Sequence, residues 1–166
     1  LLADRIKELG CKVVHTFEPG GTELGRLVRS LFLQKDAALD ARTELFLMAA
    51  DRSHHVAKVI RPALKRGAVV VCERYVDSSV AYQGYGGDIP VEDVLQVNEL
   101  ATQGLEPHIT FLLDIDPKEV ANRRARADDR MEAREADFHQ RVRQGYLQLA
   151  KKYPRRIVKI DVAGQS

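Results

Sequence analysis

The run Gly67-Ala68-Val69-Val70-Val71-Cys72 carries no polar position until Glu73 and Arg74 end it. A strand with one wet face alternates, so this run predicts a parallel strand covered on both faces. His108 to Leu113 reads the same way and ends in Asp114 and Asp116. In open α/β sheets ligands bind just beyond the carboxyl ends of such strands, where Glu73 and Arg74 fall. A structural Glu73–Arg74 ion pair capping the strand is the competing reading. Asp77, Ser78, Ser79, Tyr82 and Gln83 tilt the balance toward a site, because Tyr82 and Gln83 lie one helical turn beyond Ser78 and Ser79.

Leu1, Leu2, Ile6 and Leu9 share one helical face, Gly10 is a stop, and Cys11 to Thr16 reads as a strand. Glu18-Pro19-Gly20-Gly21-Thr22 is a loop, with Thr22 as N-cap of a helix from Glu23 to Leu33. The spacing of Leu45, Met48, Ala49, Val56, Val59, Ile60 and Leu64 predicts one long helix from Ala41 to Lys65, bent near Pro62. Strand Ala68 to Cys72, a helix through Ser79, a glycine loop at Gly84 to Gly87, and a helix from Val91 to Thr102 follow. Beyond the strand at His108, helices are expected from Lys118 to about Arg126 and from Phe138 to Lys152, and a last strand from Arg156 to Val162. Alternating strands and helices predict an α/β domain over residues 1–166, a parallel sheet with helices on both faces.

The 26 basic against 24 acidic residues give no clustered basic face for sequence-independent nucleic-acid binding. No stretch approaches a membrane span, and no signal-peptide pattern occurs. Cys11 and Cys72 sit in apolar runs without CxxC spacing, which predicts buried thiols in a reducing compartment, the cytoplasm by default.

On the long helix Met48 and Arg52 are one turn apart, so an apolar side chain and a guanidinium could hold the face and edge of a planar base. Core methionine plus surface arginine is the plainer reading; the polar run Asp51-Arg52-Ser53-His54-His55 inside an apolar helix argues against it. His54 and His55 diverge around the helix and complete no metal spacing, so a structural role is expected. Arg123 to Glu132 is either a solvated charged face or a lid whose arginine forks bind phosphate oxygens.

Glu18-Pro19-Gly20-Gly21-Thr22, Ala49-Ala50-Asp51-Arg52, Glu73-Arg74-Tyr75 with Asp77-Ser78-Ser79 and Ala81-Tyr82-Gln83-Gly84, Asp114-Ile115-Asp116-Pro117, and Asp129-Arg130-Met131-Glu132 together resemble the bacterial thymidylate kinase family in order and spacing. The resemblance implies a three-layer P-loop nucleoside-monophosphate kinase fold. It also implies transfer of the γ-phosphoryl of ATP to dTMP with Mg²⁺, in a cytoplasmic homodimer serving dTTP synthesis. By position, Arg74 would hold the acceptor phosphate and Glu73 would lie near phosphates and metal. Arg52, Ser79 and Gln83 would read the base over Met48. Tyr82 would lie beneath the sugar and Glu18 beside it. Arg124, Arg126 and Arg130 would supply catalytic cations from a lid at about residues 124–136.

Three departures from that family stand out. Phe17 occupies a position where the family commonly has Arg, and Met48 one where it usually has Phe, which predicts weaker base discrimination. Most consequential, no GxxxxGK[ST] sequence occurs in residues 1–166, although a P-loop kinase cradles ATP phosphates with that loop. The family's first strand and P-loop are expected upstream of Leu1, with that strand between the strands that end at Cys72 and Leu113. Two alternatives therefore stay open: a nucleotide-binding module without catalysis, and a same-fold kinase for another nucleoside monophosphate.

Overall fold

The computed structural model describes residues 2–34, 39–116, 119 and 136–163. Its elements in chain order are α1 (Leu2–Glu8), β1 (Val13–Phe17), α2 (Glu23–Leu33), α3 (Ala41–His55), α4 (Arg61–Lys65), β2 (Val69–Glu73), α5 (Val76–Ser79), α6 (Val91–Thr102), β3 (Thr110–Asp114), α7 (Ala136–Lys152) and β4 (Ile157–Asp161). Wider π-helical turns at Val56–Ile60 and Val80–Gly86 join α3 to α4 and extend α5.

The caps decide several boundaries. The Thr22 side chain accepts from the Gly25 N–H at 2.9 Å, and Asp40 accepts from Arg42 and Thr43 at the start of α3. The expected helix from Ala41 to Lys65 is continuous but changes its winding. The Arg61 N–H reaches back five residues to the Val56 carbonyl, just ahead of Pro62, which has no N–H to donate.

All strand pairing is parallel, as expected. β1 lies on β2, from Val13 opposite Val69 to Phe17 opposite Glu73, and β3 on β4, from Thr110 opposite Ile157 to Asp114 opposite Asp161. Among the described residues β2 and β3 share no ladder. Among the described residues each strand has one hydrogen-bonded neighbour; Phe111, Val69, Val158 and Ile160 are exposed, and Leu113 is 62% exposed.

The main core gathers Leu45, Val80, Ile89, Val94, Leu149 and Ile157 from α3, the turns after α5, α6, α7 and β4. Val28 and Phe32 of α2 pack on Met48, and Ala81 packs on Phe138 and Val142. The expectation of buried thiols fails: Cys11 is exposed and precedes β1 rather than lying within it, and Cys72 is half-buried.

Candidate functional site

The carboxyl ends of β1 and β2 and the inner face of α3 meet at one buried polar cluster. On α3, residues 48, 51, 52 and 55 recur at three and four, so Met48, Asp51, Arg52 and His55 point inward together, and all are buried. Arg52 is thus no surface residue. Its Nε donates to Glu18 Oε2 at 2.7 Å, and Nη1 donates to Ser79 Oγ at 2.9 Å and to Asn98 Oδ1. The other Glu18 oxygen lies 2.8 Å from His55 Nδ1, and His55 Nε2 lies 2.7 Å from Thr16 Oγ1. Because a carboxylate only accepts, Nδ1 carries the proton facing Glu18. Arg52, His55 and the Glu18 carboxylate have no solvent exposure, and Glu18 is the carboxylate in direct ion-pair contact with the guanidinium.

The loop Glu18 to Thr22 and the first turn of α2 come close enough to build this cluster because glycines stand where they touch α3. A Cβ on Gly21 would sit 2.5 Å from both His55 Nε2 and Thr16 Oγ1, and one on Gly25 would overlap Asp51 Oδ1. Two groups in the cluster remain without hydrogen bonds: Arg52 Nη2 and both oxygens of Asp51. Burial, followed by the Glu18 charge, pushes the Asp51 carboxyl up to about 6.

Arg74 follows β2 with φ of 65°, a left-handed conformation that costs a non-glycine residue roughly 1–2 kcal/mol and collects at functional sites. Its guanidinium stands 5.0 Å from the Tyr82 ring centre. Tyr82 in turn meets Phe138 and Tyr146 of α7 edge-on, and the Tyr146 hydroxyl donates to Ser78 Oγ at 2.8 Å. Burial holds the Tyr146 phenol up at about 12, so it stays a neutral donor. The Glu73 side chain is 67% exposed and lies 2.8 Å from His15 Nε2.

Of the residues singled out from sequence, the structure brings Glu18, Arg52 and Ser79 into one network and sets Arg74 on Tyr82. It seats Met48 against Val28 and Phe32 of α2 and bonds Gln83 Nε2 to Glu44 Oε2 at 3.3 Å. Arg124, Arg126 and Arg130, with the proposed lid, lie outside the described residues. Sequence reasoning missed Thr16, Glu44, Asn98 and Tyr146, and gave Asp51 no role. Asn98 left a signal, as a polar residue on the buried stripe of Val94 and Ala101, and so did Glu44, one turn before Met48.

The absence of a metal grouping in the sequence is also corrected, since Glu18, His55 and Cys72 bring potential ligand atoms within 4.8 Å of one another. Hydrogen bonds account for this cluster instead. Both Glu18 oxygens are engaged, and burial with the Glu18 charge holds the Cys72 thiol well above its usual range, protonated and a poor ligand. At the end of β3, Arg143 of α7 binds Asp114 at 2.8 Å and Asp116 at 3.0 Å.

The thymidylate kinase family model matches residues 1–166. A thymidylate kinase from a Synechococcus strain is 49% identical over 99% of this chain and 79% of its own length. One from an Exiguobacterium strain is 45% identical over 97% of this chain and 77% of its own. The crystal structure of thymidylate kinase from Ehrlichia chaffeensis superposes with a TM-score of 0.79 at 36% identity, covering 96% of this chain and 81% of that one. The cluster around Arg52 and Arg74 therefore sits in a chain that belongs to the thymidylate kinase family.

Proposed function

We propose that this chain carries the acceptor side of a kinase that transfers the γ-phosphoryl of ATP to dTMP, giving dTDP for dTTP synthesis. The observation that carries this reading is Arg52. Its guanidinium is buried, fixed on three sides by Glu18, Ser79 and Asn98, and left with one unpartnered amino group that a base carbonyl would satisfy. Arg74, held at the strand end in a strained conformation, takes the acceptor phosphate, and Tyr82 lies beneath the sugar. Met48 packs under the base while Ser79 and Gln83 face its edge. Phosphoryl transfer asks mainly for alignment and charge stabilisation, so a site made of fixed cations and amides suits it without a general base. The lid arginines Arg124, Arg126 and Arg130 add positive charge over the phosphates.

A single exposed carboxylate at a strand end, Glu73, fits Mg²⁺, which takes one or two carboxylates and otherwise waters and phosphates. When bound, the ion neutralises phosphate charge. We place the protein in the cytoplasm and as a homodimer. α2 presents Leu24, Leu27 and Leu31 at three- and four-residue spacing, with Leu27 63% exposed, and the adjacent α3 exposes Phe46.

A binding screen of dTMP, dUMP, dCMP and AMP tests the acceptor side of this reading. Preference for dTMP is expected, and equal or better binding of AMP or dCMP refutes it. Formation of dTDP from dTMP, ATP and Mg²⁺ tests the transfer itself.

A further inference from the structure

We infer that Glu44 is a positioning residue that fixes the Gln83 carboxamide in the orientation that selects a thymine-like base over cytosine. The inference rests on the reading of this cleft as a nucleoside-monophosphate acceptor site. Glu44 has no solvent exposure and Gln83 only 3%, so a carboxylate there needs polar partners, and the Gln83 amide is one of them. Glu44 lies in the first turn of α3, where the helix dipole favours a negative charge. Its Oε2 stands 3.3 Å from Gln83 Nε2.

A carboxylate accepts and cannot donate, so the Gln83 amino group must face Glu44. The Gln83 carbonyl oxygen then points the other way, and it makes no hydrogen bond to the described residues. Glu44–Gln83 and Arg52–Ser79 are two rungs between the same two elements. Glu44, Met48 and Arg52 step along α3 by single turns, and Ser79 and Gln83 are one turn apart on the facing segment. The two rungs thus leave one unpartnered donor, Arg52 Nη2, and one acceptor, Gln83 Oε1, whose amide is bonded only through its amino group among the described residues.

A pyrimidine with a carbonyl at C4 and a proton on N3 matches that pair. Cytosine, with an amino group at C4 and a bare N3, opposes donor to donor and acceptor to acceptor. A buried site rejects such a mismatch because its own polar groups are left unpaired. Replacing Glu44 by glutamine keeps shape and hydrogen-bonding capacity but supplies a donor, so the Gln83 amide is free to turn.

The test is the ratio of dTMP to dCMP dissociation constants for the wild type, Glu44→Gln and Glu44→Asp, with unfolding curves to check the fold. Glu44→Gln is expected to collapse the ratio by roughly tenfold, mainly by weakening dTMP, and Glu44→Asp, still acceptor-only, to restore most of it. A folded Glu44→Gln protein with an unchanged ratio overturns the assignment. A wild type with no preference for dTMP overturns the acceptor-site reading and the assignment with it. Should Glu44→Gln fail to fold, the Gln83 side-chain NH₂ of the wild type is followed by ¹⁵N–¹H spectroscopy. Slowed hydrogen exchange in free and dTMP-bound protein is expected, and free exchange in both overturns the assignment.

Discussion

Asp51 offers the sharpest energetic test of the buried cluster. Both its carboxylate oxygens are buried without a partner, and its carboxyl is pushed up to about 6 from an ordinary value of 3.8. A folded-state value above the unfolded one means that the stability contribution is fully present below pH 3.8 and is lost as pH rises through about 6. A rise of about two pH units, each worth about 1.36 kcal/mol, puts the full loss at about 3 kcal/mol, about half of it falling between about pH 5 and about pH 8. Asp51→Asn cannot ionise, so it escapes this loss while leaving a buried amide that costs roughly 1–3 kcal/mol at every pH. Urea denaturation of both proteins across that range isolates the group with its coupling to Glu18 and His55, because titrations not coupled to Asp51 cancel in the difference. The wild type is expected to lose about 1.5 kcal/mol relative to Asp51→Asn between about pH 5 and about pH 8. Parallel stability curves would refute the reasoning, since Asp51 would then titrate alike in folded and unfolded chains.

Two further substitutions probe the same cluster from other sides. Glu18→Gln removes the carboxylate that compensates buried Arg52 and is expected to cost about 3–5 kcal/mol in denaturant unfolding, with weaker dTMP binding in calorimetry. Gly25→Ala places a methyl group onto Asp51 and 2.8 Å from the Gly20 nitrogen, which is expected to cost about 1–3 kcal/mol by the same measurement.

Local signals were the legible part of this fold. Thr22 and the apolar spacing after it set the bounds of α2, because a cap and a helical stripe need only nearby residues. The polar run from Asp51 to His55 correctly marked the inner face of α3 as unusual. What it could not show was the partner. Glu18 meets His55 across 37 residues and Arg52 meets Asn98 across 46, pairings that only the packing of loop, α3 and α6 creates. Cys11 misled for a related reason. An apolar neighbourhood in sequence states what a residue prefers, whereas its exposure depends on what packs beside it in the fold. The widening at Val56–Ile60 was unreadable too, since its apolar pattern also suits an α-helix.

Arg74, as the phosphate-holding residue, is the side chain on which acceptor binding depends most directly. Calorimetric dissociation constants for dTMP and for thymidine, with wild type and Arg74→Ala, isolate that role, because the two ligands differ only in the phosphate. Wild type is expected to prefer dTMP by well over tenfold, as a charge-assisted bidentate contact would, and Arg74→Ala to erase the preference while leaving thymidine binding nearly unchanged. If Arg74→Ala keeps the wild-type preference for dTMP, the phosphate is held elsewhere and the acceptor-site account is wrong.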